Sequence, residues 1–263
     1  MDMCHGQLLP EHLANILLDS LLQQKRVNHV QLGTFAPCAT SIRLADQHHV
    51  GDGGTALEVG PLLSLTRLAS LRLVDMKVGD RDCAGIAALT QLTELDLRAT
   101  SVSDTGVQGL SRLLRLHRLD VTWTQATAPP ALSSLTNLHM ENCWVGGEVA
   151  LRVLHSTRFP NLRELHMSMT QFDDAGIELL RAFCIDSAPD SSANNDVVKC
   201  LTDLTNLRML SLKSTEIDDA ALPLLQSLKG SLTSLDISGN NITGEQAPEQ
   251  SWGRSRLHHL RHK

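Results

Sequence analysis

The chain contains no tyrosine, and aromatic residues make up only 3% of it, so any core it forms must be aliphatic. Paired cysteines are also missing. The six thiols, at positions 4, 38, 83, 143, 184 and 200, show no CxxC or CxC spacing, which argues against a zinc-finger framework and for reduced cysteines. No apolar run approaches the roughly 20 residues of a membrane helix. The opening "MDMCHGQLLPEH" has an acid at position 2 and lacks the basic region and apolar stretch of a secretory signal. Together these absences point to the cytoplasm or the nucleus, where the sequon Asn241-Ile242-Thr243 would carry no glycan. Basic charge is not in surplus either. A net charge of −6 gives no reason to expect binding to nucleic acid or to an anionic membrane.

What is present is leucine, and it recurs in a frame. "LTELDLRATSV" from Leu92 fits L-x-x-L-x-L-x-x-T-x-V, and "LASLRLVDMKV" from Leu68 and "LHRLDVTWTQA" from Leu116 repeat it. Further copies begin at Leu135, Leu162, Leu207 and Leu232, with a weaker one, "ATSIRLADQHHV", from Ala39. Eight units with starts at 68, 92 and 116 have the period of a solenoid. The frame covers about three quarters of the chain and resembles that of leucine-rich-repeat proteins. The fold it implies is α/β, with a curved parallel sheet on the concave side, helices and irregular turns on the convex side, and a capping helix at the N-terminus.

The spacing explains itself physically. Positions one, four and six turn inward, and four and six share one face of a short strand. A single such strand cannot bury that face, so neighbours must stack. Position nine (Met76, Thr100, Thr124, Cys143, Thr170, Thr215, Asn240) lies where the chain leaves the strand. A short donor side chain there can bond backbone groups of the neighbouring turn. Met76 cannot, and its turn is expected to differ. Asp104, Asp173 or Asp174, and Asp218 precede apolar runs and read as helix N-caps. The unit from Leu116 is short, contains Pro129-Pro130, and is expected to lack a helix.

Three parts of the chain are expected: residues 1–26 as a capping or adaptor-type helix, 27–243 as the repeat domain, and 244–263 as a basic, His-rich tail. Within the repeats, "CIDSAPDSSANNDVVK" at 184–199 reads as an inserted loop. "GDGG" at 51–54 lacks the Lys-Ser/Thr of a phosphate-binding loop and reads as a turn.

"LLPEHLANILLDSLLQQKR" is an amphipathic helix starting at Pro10, with Leu13, Ile16, Leu17 and Leu21 on one side. It reads as a cap over the first repeat. Leu9-Pro10-Glu11-x-Leu13-x-x-Ile16-Leu17 also resembles the first helix of an F-box, although the Val-x-x-x-Trp second half is absent. That resemblance implies a substrate receptor of a cullin-type ubiquitin ligase, with Leu13, Ile16 and Leu17 docking the adaptor. The Asp-x-Gly or Asp-Ala entry into the helices resembles the ribonuclease-inhibitor-like and cysteine-containing subclasses. Leu9–Ala14, "IRLAD" at 42–46, "LDVTWT" at 119–124 and "LHMENC" at 138–143 resemble intracellular plant leucine-rich-repeat proteins. That resemblance implies an interaction protein and carries over no catalytic residue.

Positions three, five and seven project from the concave face. They bring Glu94, Asp96, Arg98, Asp120, Glu141 and Glu164 around His139 and His166, with Trp123 beside them. Three outward positions on each of eight strands match the roughly 20–30 residues that one partner contributes to a standard interface. The expected function is binding of protein partners, with a preference for a basic segment. A second reading is a solvated polar face whose charge contacts contribute little. A third is a metal-dependent hydrolase on Asp120, His139 and His166, but an open sheet offers neither a dry pocket nor a shell of orienting groups. The reading adopted is non-enzymatic, with no cofactor and no metal. His258, His259 and His262 fit a basic tail.

Overall fold

The computed structural model of the chain describes residues 10–23, 38–45, 62, 64–127, 132–145, 159–169, 171–172, 206–219 and 221–243. The expected loop at 184–199, the GDGG turn, Pro129-Pro130, Thr170, Asp173, Asp174 and the tail from 244 lie outside these residues. Eight strands form one open parallel sheet: β1 Ser41–Ala45, β2 Ser70–Val74, β3 Glu94–Asp96, β4 Arg118–Asp120, β5 Asn137–His139, β7 Glu164–His166, β9 Met209–Ser211 and β10 Ser234–Asp236. A second, two-stranded sheet pairs β6 Trp144–Val145 with β8 Gln171–Phe172.

The register follows the frame in every unit. Position four runs Ile42, Leu71, Leu95, Leu119, Leu138, Leu165, Leu210 and Leu235 across neighbouring strands, and all eight are buried. A slip of one residue would turn these side chains to the opposite face, so burial fixes the pairing. Positions one and six join them in one continuous cluster reaching from Leu18 to Ile237.

Pairing continues past the strands because position eight is left-handed in every unit described there: Asp75, Ala99, Trp123, Asn142, Met169, Ser214 and Gly239 have φ between 53° and 70°. The bend aims each position-eight N–H at the position-seven carbonyl of the next repeat. Asp75 donates to Arg98, Ala99 to Thr122, Trp123 to Glu141, Asn142 to Ser168, Met169 to Lys213, and Ser214 to Ser238.

Position nine divides by residue type. Thr100, Thr124 and Thr215 donate to carbonyls of their own turns, those of Leu97, Val121 and Leu212. The expectation of bonds to backbone groups of the neighbouring turn is therefore corrected for threonine, whose hydroxyl donates at shorter range to its own backbone. Cys143 does reach the neighbour, at Val121 O, and Asn240 donates to Leu212 O while accepting from the N–H groups of Thr215 and Ile217. The Met76 turn keeps the shared backbone path at Asp75. It differs one step later, where Val78 N–H goes to Met76 O. In the Thr124 turn the equivalent donor, Ala126 N–H, goes to the threonine hydroxyl.

Among the described residues, short helices follow three of the strands: α2 Asp80–Ile86, α3 Asp104–Gly109 and α4 Ala221–Gln226. Asp104 is not an N-cap, because Ser103 holds that position and accepts from Thr105 N–H. The Asp104 carboxylate instead accepts both the N–H and the hydroxyl of Thr127 in the next repeat. Asp80 binds Ser103, and Asp219 binds Thr243, in the same manner. A position-thirteen aspartate therefore ties each of these helix starts to the following repeat, and the two bonds from Ser103 hold the Asp80 carboxyl below its usual range. Asp218 lies outside α4 and forms a parallel bridge with Asn241. Gly106 permits the close stacking of α2 and α3: a Cβ there would lie 2.5 Å from Asp80 Oδ1 and 3.0 Å from Asp80 Cα. Among the described residues between Asp120 and Asn137 there is no helix, as the short unit suggested.

Helix α1, Glu11–Gln23, closes the β1 edge. Asn15 Oδ1 accepts from the N–H groups of Thr40 and Ser41, Asp19 Oδ1 accepts from Arg43 N–H, and the Thr40 hydroxyl donates to Glu11. An unpaired strand edge is a template for aggregation, and these three side chains cover it. Ala14 and Leu18 face the core.

Candidate functional site

The polar face of the sheet is built from positions three, five and seven, and its middle column changes character half-way along. After Arg43 and Arg72 come Asp96 and Asp120. Each bends back onto its own backbone, accepting from the N–H two residues on, at Arg98 and Thr122, and Asp236 does the same with Ser238. This is the short Asp-to-backbone turn that the residue favours. Arg98 then grips Asp96 through Nε at 3.0 Å and Nη2 at 2.8 Å, and reaches Asp120 at 3.4 Å. The Asp96 bonds raise the guanidinium's affinity for its proton, and burial pushes the Asp120 carboxyl up. Both aspartates are only 8% exposed, so two of the expected surface carboxylates are enclosed by the third member of their cluster.

His139 and His166 continue the column on β5 and β7. Paired in register, their rings stack with centroids 4.3 Å apart and planes 11° from parallel. Burial, and then the neighbouring His166, Arg118 and Arg98, lower the His139 pKa to about 4, so its imidazole is neutral at physiological pH. Its Nε2 is buried without a hydrogen-bond partner. Glu141 lies 3.6 Å from His166 Nδ1, and Glu164 accepts from Asn137 Nδ2. Glu94 sits farther along, 3.8 Å from Arg72. Asp120, expected as a companion of the histidines, is held by Arg98, and Glu164 stands with them in its place: donor atoms of His139, Glu164 and His166 all lie within 4.8 Å of one another.

Trp123 is 65% exposed on its left-handed turn and lines two recesses. One, of about 400 Å³, also includes Glu141, His166, Met169, Met209 and Asp236. Met169 was not legible as a surface residue. It occupies position eight, like Trp123, and the left-handed bend shared by the two turns the side chain outward.

A family model described as "Leucine Rich repeat" matches residues 160–180 and 231–245. Two solved structures superpose on most of the chain. One is an internalin (inlF) from Listeria monocytogenes, with 21% identity, TM-score 0.58, and coverage of 89% of this chain and 64% of that one. The other is an internalin C2 (inlC2) from the same organism, with 17% identity, TM-score 0.55, and coverage of 90% and 100%. The fold is a leucine-rich-repeat solenoid. This chain thus spans 64% of the length of the first internalin. No curated protein matches its sequence. Among the described residues of the solenoid, no helix is long and apolar enough to cross a membrane.

Proposed function

We propose that this solenoid is a non-enzymatic protein-interaction module of the cytoplasm or nucleus that binds partner proteins on the polar face of its sheet. The observation that carries the reading is the recess bounded by exposed Trp123, Met169 and Met209 beside Glu141 and Asp236. A large aromatic and two adaptable thioethers next to carboxylates suit a partner segment that combines an apolar anchor with a basic residue. Trp123, Glu141, Glu164, His139, His166 and Glu94 are the contacts assigned to that partner. Asp96 and Asp120 shape the face from beneath, through Arg98. The partner class is protein, not nucleic acid or membrane. Affinity purification from lysate tests the reading: Trp123→Ala combined with Glu141→Lys is expected to lose the partners that the unchanged chain retains. Undiminished recovery would remove this face from consideration.

The second reading, a substrate-recognition subunit of a cullin-type ubiquitin ligase, is favoured by one observation. Leu13, Ile16 and Leu17 are 42%, 61% and 44% exposed, while Ala14 and Leu18 of the same helix are buried. Capping therefore occupies one side of α1 and leaves an apolar ridge on the other. The F-box resemblance belongs with this reading, and the ribonuclease-inhibitor-like and plant-protein resemblances with the first. Ile16→Glu with Leu13→Glu is expected to abolish co-purification of a ligase adaptor while leaving partners of the sheet bound. Failure of the unchanged chain to recover any adaptor would exclude it.

A further inference from the structure

We propose that His139, His166 and Glu164, brought together on adjacent strands β5 and β7, form a zinc-binding site. The parallel register sets His139 against His166 and Asn137 against Glu164, so the two imidazoles and the carboxylate converge from neighbouring strands about 4.8 Å apart. Their donor atoms already lie within 4.8 Å of one another. A tetrahedral ion at about 2.0–2.2 Å from each ligand needs donors about 3.4 Å apart. Closing that gap requires the two rings to rotate out of their stack, about the bond from Cβ.

Three features set this cluster apart from a chance group of polar side chains. The buried Nε2 of His139 has no hydrogen-bond partner, an unfavourable condition that a metal bond removes. Two of the ligands also have outer partners. The Glu141 carboxylate lies 3.6 Å from His166 Nδ1, and Asn137 Nδ2 donates to Glu164. Such outer contacts fix ring orientation and ligand basicity at metal sites. The donor set narrows the ion: two imidazoles and one carboxylate suit zinc and its transition-metal neighbours and are poor ligands for magnesium or calcium. Three protein ligands leave a fourth position for water or for a donor from another molecule. The site shares His139, His166 and Glu164 with the docking reading, but zinc uptake by the isolated chain and partner recovery are separate measurements, so either can fail without the other.

The test is calorimetric titration of the metal-free full chain with zinc chloride in the presence of excess magnesium. Because His258, His259 and His262 also offer nitrogen ligands, the reference protein carries alanine at those three positions. One zinc per chain is expected in that reference, together with a rise in melting temperature on zinc addition. In the same background His166→Gln and Glu164→Gln are each expected to weaken binding about 100-fold, and Glu141→Gln, which removes only an outer partner, about 10-fold. All three replaced side chains are half-buried, and the metal-free melting temperature of each variant confirms its folding. Zinc uptake that disappears with the tail histidines, or that survives His166→Gln and Glu164→Gln unchanged, would overturn the proposal.

Discussion

The two halves of the position-five column share a backbone and differ in how their charge is settled. Asp96 and Asp120 are enclosed, each bonded to its own chain, and share one guanidinium. His139 and His166 occupy the same register positions two strands farther on, yet their rings stack on each other, with Glu141 and Glu164 nearby and, among the described residues, no ion pair from an arginine. The cause lies at position seven, where Arg98 serves the first pair while the histidine strands carry Glu141 and Ser168. One half of the face is thus closed by its own side chains. The other presents incompletely satisfied groups, which is where a ligand has most to gain.

The largest expected effect comes from removing the clamp. Arg98→Ala leaves two buried carboxylates without their cation and is expected to cost about 2 kcal/mol, whereas Glu141→Ala, at the same position in the other half, costs under about 0.5 kcal/mol. Urea denaturation of the two variants measures both, and equal losses would erase the distinction between the halves.

Acid should act on the histidine half next. The His139 imidazole is held neutral in the folded chain, with its pKa lowered to about 4, while its unfolded value is near 6.5. A base depressed in this way contributes stability that is fully present above pH 6.5 and is lost as pH falls toward 4. His166, Arg118 and Arg98 oppose its protonation and Asp96 favours it. In chelator-treated protein, His139→Gln should flatten the stability profile across that window, and an unchanged slope would show that His139 is not buried neutral.

Smaller effects test whether the shared backbone is equivalent in the two halves. Ala99→Gly should stabilise by about 0.5 kcal/mol, because a left-handed alanine is strained, though glycine also loosens the unfolded chain. Asn142→Gly should gain less, since asparagine tolerates that conformation. Thermal unfolding separates the two, and a loss of stability in either would locate the difference in the backbone. The smallest expected signal is silence. Cys83, pushed up to about 12 by burial and by Asp80 and Asp82, and Cys143, raised by burial, should resist iodoacetamide in the folded protein at pH 8.

Much of the fold was legible before any coordinates. Leu95, Leu119 and Leu138 announce their register because strand geometry sends alternate residues to one face, and a repeat of fixed period stacks like on like. Asp104 was misread because an aspartate ahead of an apolar run resembles a cap in one dimension. Its true partner, Thr127, lies in the next repeat and is a neighbour only after stacking. The column of Asp96, Asp120, His139 and His166 was likewise visible, but as one acidic patch around the histidines, not as two separately settled pairs.

The sequence by itself determined the repeat, the inward positions and the order of side chains on the polar face, because these follow from period and backbone sterics alone. Only the tertiary structure decided that Arg98 closes over two aspartates, that Glu164 rather than Asp120 joins the histidines, and that α1 caps one edge while exposing Leu13, Ile16 and Leu17. Those outcomes depend on the reach of side chains between repeats, and reach is a distance that no spacing along the chain contains.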